Sequence, residues 1–104
     1  KAAEGAPEFQ RANDRQEWGE IPGAETTGIL HDRVRTGLLR IAAAHPDQRV
    51  AVVVHGGVIG AAMAISSGAQ PFAFNGAANG SISRIVIRGD RMWPKGFNDI
   101  AHLD

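Results

Sequence analysis

Residues Arg49, Val50, Ala51, Val52, Val53 and Val54 are followed at once by His55, Gly56 and Gly57, and then by the apolar stretch Val58–Ile65. This is the part of the sequence whose residue types could do chemistry. The two glycines let the backbone turn sharply and leave their amides uncovered. Those amides, with the positive end of a helix beginning near Val58, would make an anion site. A neighbouring histidine can hydrogen-bond a phosphoryl oxygen or, as imidazolium, pair with its charge. The pattern therefore points to binding or transfer of a phosphoryl group. A second reading stands beside it: the imidazole serves only to cap the helix or to satisfy a nearby carbonyl.

The elements that must position this turn are legible on either side. Ile29, Leu30, Val34, Leu38, Ile41 and Ala42 recur at helical spacing after Glu25. Thr26 or Thr27 is suited to the N-cap, and Glu25 suits the positive end of the dipole. His45-Pro46 ends this helix. Arg49–Val54 is, after its arginine, continuously apolar and mostly β-branched, the pattern of a strand buried on both faces. Gly57 to Ser67 reads as a buried helix ending near Gly68. Gln70–Ala78 is a loop; Ser81–Arg88 alternates as a strand and turns at Gly89-Asp90 into Arg91–Trp93. The tail carries Phe97, Ile100 and Leu103 as expected anchors. The first 24 residues read as a polar loop with a short helix from Pro7 to Arg15, docking through Phe9 and Trp18. The fold class is α/β, a partial three-layer sheet with flanking helices. So few strands would leave long open edges, which suggests that an N-terminal part is missing. The first residue, Lys1 rather than Met, agrees with that.

Composition narrows the function classes. A chain of 104 residues is one domain at most, and 11 basic against 11 acidic residues favour neither nucleic acid nor an anionic membrane. No apolar run reaches the roughly 18 residues of a spanning helix. With no cysteine, thiolate catalysis is excluded, and a cytoplasmic location is expected. Walker and G-x-S-x-G spacings do not occur. His31, His45 and His102 lie too far apart for an H-x-x-x-H metal pair. His31 reads as a solvated helix residue, His45 as a last-turn residue and His102 as a tail fastener. Asn79-Gly80-Ser81 reads as a turn, Arg84 and Arg88 as solvent-facing, and Trp18 and Trp93 as packing anchors.

The stretch "VAVVVHGGVIGAAMA" resembles the second histidine motif of the histidine phosphatase superfamily, the phosphoglycerate mutase-like proteins. "IPGAET", "RVRTGLLRIAAAHPDQR", "NGSISRIVI" and "RMWPKGFNDIAHLD" resemble further family segments in the same order. The resemblance covers Ile21 to Asp104. It implies a phosphoglycerate mutase-like α/β domain of which residues 25–104 are the C-terminal portion. His55 is then the residue that contacts the phosphoryl oxygens and stabilises charge during transfer, with the amides of Gly56 and Gly57 assisting. The implied partner is phosphate or a small phosphomonoester; no metal or other cofactor is implied. Gly60 departs from the family pattern, in which a larger residue is frequent.

The larger departure concerns the nucleophile. In the family, an N-terminal Arg-His-Gly supplies the histidine that becomes phosphorylated, and no such triplet occurs here. The family's acid and second clamping arginine would also precede the matched region. Glu17, Glu20 and Glu25 are available as carboxylates, but none stands in the family's context. The expectation is thus the C-terminal half of a phosphatase, or of a phosphoglycerate mutase-like phosphotransferase, acting through phosphohistidine but inactive alone. It would associate with its missing N-terminal half or with a second copy of the chain. The alternative is a non-catalytic phosphate-binding or interaction domain with the same fold.

Overall fold

The computed structural model describes residues 7–21 and 23–103, leaving out the side chains of residues 7–9 and 13. The expectations for the first six residues, Pro22 and the Phe9 side chain lie outside the described residues.

Helix α1 (Pro7–Arg15) begins at a proline, whose missing amide costs nothing in a first turn. Helix α2 (Thr27–Ala44) is capped by Thr26, whose Oγ1 accepts from the Ile29 amide at 3.2 Å. It stops at His45, just before Pro46. Helix α3 (Gly56–Ser67) ends at Gly68, which takes the left-handed conformation (φ +73°) that favours glycine. Two strands, β1 (Ile82–Arg88) and β2 (Arg91–Asp99), form an antiparallel hairpin. Gly89 (φ +61°) provides the positive φ that the two-residue turn requires. The class is α/β, as expected.

Leu30 and Val34 of α2 pack on Ala61 and Ala62 of α3, and Trp18, Leu38, Val58, Ile65 and Ile85 close the cluster. Small residues on α3 let the two helices approach closely, and Met63, also on α3, is buried to 1% exposure. The helix is thus covered from Gly60 through Ala64, in line with its nearly all-round apolar sequence. The hairpin packs against α3 mainly through β2, and Arg35 of α2 donates to the carbonyl of Asp90 at 3.2 Å.

Four expectations are corrected. Residues 49–54 form no strand, and Val53 is 98% exposed. A β pattern in the sequence gives a strand only where another strand accepts its backbone bonds, and no described segment pairs with this one. Strand β2 runs six residues past Trp93, carrying Pro94 opposite Ile85. Proline is tolerated because β2 is an edge strand, whose outer side needs no donor. Ile29 lies 57% exposed, at the margin of the α2 stripe rather than within it. Of the three tail anchors, Phe97 packs edge-on against Phe74 at 5.1 Å, but Ile100 and Leu103 remain exposed. The short helix (Ala101–Leu103) is held instead by His102, whose Nε2 lies 2.7 Å from the Gly80 carbonyl.

Residues 49–54 border a groove of about 1,750 Å³ whose other walls are α2, α3 and β1. The free edge of β1 faces no strand among the described residues. No helix among them is long and apolar enough to cross a membrane.

Candidate active site

His55 is the N-cap of α3, in extended conformation (φ −83°, ψ 164°). Its carbonyl accepts the first helical bonds, from Val58 at 3.0 Å and Ile59 at 3.1 Å. The amides of Gly56 and Gly57 therefore precede the helical ladder and are free of it. No side-chain capping bond is made by the imidazole. The imidazole therefore does not cap α3. His55 is exposed, and the two ladder-free amides that follow it lie at the positive end of a 12-residue helix, where an anion is favoured.

His55, Gly56 and Gly57 are consecutive, and the structure places them at the entry to α3. His55 lies where the large groove meets a smaller open cleft of about 290 Å³. Gly57, Val58, Leu30, Ala24, Trp18 and Glu25 line the rest of that cleft. Sequence reading placed Trp18 only as a packing anchor and did not bring Glu25 to His55. Both arrive through the segment before α2, whose path is fixed by tertiary bonds rather than by periodicity.

Those bonds centre on Glu17 and Thr27. The Glu17 Oε2 accepts from the amide of Gly19, and from that of Thr27 at 2.9 Å. Thr27 Oγ1 in turn accepts the Trp18 amide at 2.8 Å. Hydrogen bonds from the Thr27 amide, and next from the Gly19 amide, hold the Glu17 carboxyl below the usual carboxylate range. A proton donor to a leaving oxygen needs the opposite shift, so Glu17 is a structural anion. Glu20 pairs with Arg15 at 3.2 Å and Arg11 at 3.7 Å, and Glu25 pairs with Arg33. Glu20 and Glu25 are thus engaged in surface ion pairs.

The remaining histidines take structural places. His45 is the C-cap of α2, its Nδ1 3.1 Å from Gln48 Oε1, and His31 is half-buried on α2. Arg84 faces solvent and pairs with Asp99 at 3.4 Å. Gly60 has a packing role: a Cβ there would stand 2.5 Å from Asn75 Oδ1 and 3.4 Å from the Phe74 carbonyl oxygen. A side chain there would first require the Asn75 side chain to move.

The profile of the histidine phosphatase superfamily (branch 1) matches residues 1–100. The chain belongs to that superfamily. It is 31% identical over 102 residues to a protein named uncharacterized phosphatase PhoE from Bacillus subtilis (strain 168), covering 97% of this chain and 52% of that one. It is also 35% identical over 89 residues to phosphoglycerate mutase-like protein 4 of Arabidopsis thaliana, covering 82% of this chain and 37% of the relative. The chain thus spans about half the length, or less, of these curated relatives. No solved structure matches it.

Proposed function

We propose that this histidine phosphatase chain supplies the phosphoryl-contacting half of an enzyme that hydrolyses, or transfers, the phosphoryl group of a small phosphomonoester. The observation that carries this is the uncommitted imidazole of His55 beside the Gly56 and Gly57 amides at the head of α3. Three oxygens on a transferring phosphoryl group carry the developing charge. Donors fixed before the reaction stabilise that charge without reorganising. His55 and the two amides provide such donors.

The bond to phosphorus is made by a second histidine, borne on residues outside this chain. Its nitrogen attacks phosphorus, the bond to the leaving oxygen breaks, and an acid elsewhere protonates that oxygen. Water then cleaves the phosphohistidine to release inorganic phosphate, or an acceptor hydroxyl takes the group. Glu17 is held by backbone amides and Glu20 pairs with Arg15 and Arg11, while Glu25 lines the His55 cleft but pairs with Arg33; the acid is therefore assigned to the other part of the domain. The uncovered apolar run at 49–54 supports the same division: it pairs, in this reading, with strands of the other part. The 104 residues alone should release phosphate from p-nitrophenyl phosphate no faster than buffer, whereas the full-length protein should do so catalytically. Catalytic turnover by the 104 residues alone would contradict the proposal.

A further inference from the structure

Trp18 stands in the cleft beside His55 and is unusually well fixed there. Its amide is held by Thr27 Oγ1, and its ring packs on Phe72 with centroids 4.6 Å apart and planes tilted 38°. Phe72 is itself secured by a bond from its amide to Gln16 Oε1 at 2.7 Å. The indole also reaches the glycine turn: a Cβ at Gly57 would lie 3.9 Å from its Cζ2. An aromatic surface is thus held against Gly57, two positions from His55.

The rest of the cleft has the same character. Ala24, Leu30 and Val58 continue the apolar wall, and Glu25 Oε1 pairs with Arg33. A hydroxylated or carboxylated leaving group would gain few polar partners from this wall and would leave its apolar surface in water. A planar apolar group would bury its face against the indole in offset or edge-on contact. The volume of about 290 Å³ is ample, since benzene fits a cavity of roughly 150 Å³.

We infer that Trp18 determines specificity and that the leaving group of the substrate is apolar and planar, as in an aryl phosphate. The inference rests on His55 being the phosphoryl-contacting residue. It is tested on the full-length protein by calorimetric titration with phenylphosphonate and methylphosphonate, which share a phosphoryl-like head and differ at the cleft. Wild type should bind the phenyl compound about tenfold more tightly, the scale of a filled apolar pocket. Trp18→Ala should reduce that ratio below about threefold, and Trp18→Phe should retain most of it. The ratio of kcat/KM for phenyl phosphate over glycerol 3-phosphate should fall in parallel. Equal binding of the two phosphonates by wild type would overturn the inference even if the alanine variant did not fold. So would an unchanged ratio in a folded Trp18→Ala protein. His55→Ala should weaken both phosphonates alike; no effect of that change would sink the phosphoryl reading while leaving the measured ratio to judge Trp18.

Discussion

Replacing His55 by alanine in the full-length protein should lower kcat for phosphomonoester hydrolysis by about 10²–10³-fold, the loss seen when one preorganised charge-stabilising donor is removed. Most of the loss should fall on kcat rather than KM, because the donor matters most as charge spreads over the phosphoryl oxygens. The fold should barely respond. The imidazole is exposed and makes no capping bond, so a change of more than about 0.5 kcal/mol in stability is not expected. That separation is what distinguishes a functional histidine from a helix cap. His55→Gln, which keeps a donor but no cationic state, should recover part of the rate. Steady-state kinetics with a thermal melt of each variant decide the matter. A His55→Ala enzyme within threefold of wild type, or one that loses activity only by unfolding, would count against the site.

The second large effect concerns residues 49–54. Val53→Asp should leave the stability of the 104-residue chain within about 0.5 kcal/mol, since that side chain is 98% exposed. In the complete domain the same change should cost about 4 kcal/mol or more, because it would bury an unpaired carboxylate between strands or beneath a helix. The physical basis is the composition of the run. Four valines and an alanine beside a groove of about 1,750 Å³ are chemically suited to a two-sided interior. Denaturant titrations of both proteins give the comparison. Equal, small effects in both would mean that nothing covers the run. Equal, large effects would mean that a second copy already covers it in the isolated chain, which a change in sedimentation with concentration would reveal.

The contrast between legible and illegible elements follows the range of the forces that form them. Helices α2 and α3 are set by local signals: a Thr26 cap, an apolar stripe ending before Pro46, and a left-handed Gly68. The hairpin turn is equally local, resting on Gly89-Asp90. Residues 49–54 have as strong a β pattern as any part of the chain, yet strand formation depends on partners distant in sequence. The continuation of β2 through Pro94 was hidden for a related reason: proline forbids a central strand but not an edge, and edge position is a tertiary fact. The start of α3 after His55 could be read because turn and helix are consecutive. Trp18 and Glu25 could not be placed beside it from periodicity. Their position depends on the Glu17–Thr27 bonds, and Trp18 also packs against Phe72, 54 positions away. Two residues that could serve as acceptors, Glu17 and Thr27, flank the segment, but their pairing has no sequence period.

The division of labour within the site is tested most directly by locating the phosphorylated residue. The full-length protein would be quenched in alkali during turnover of a phosphomonoester, which preserves phosphohistidine, then digested and mapped by mass spectrometry. The phosphoryl group should be found on a histidine outside these 104 residues, with His55 unmodified. A phosphoryl group on His55 would make it the nucleophile and contradict the account.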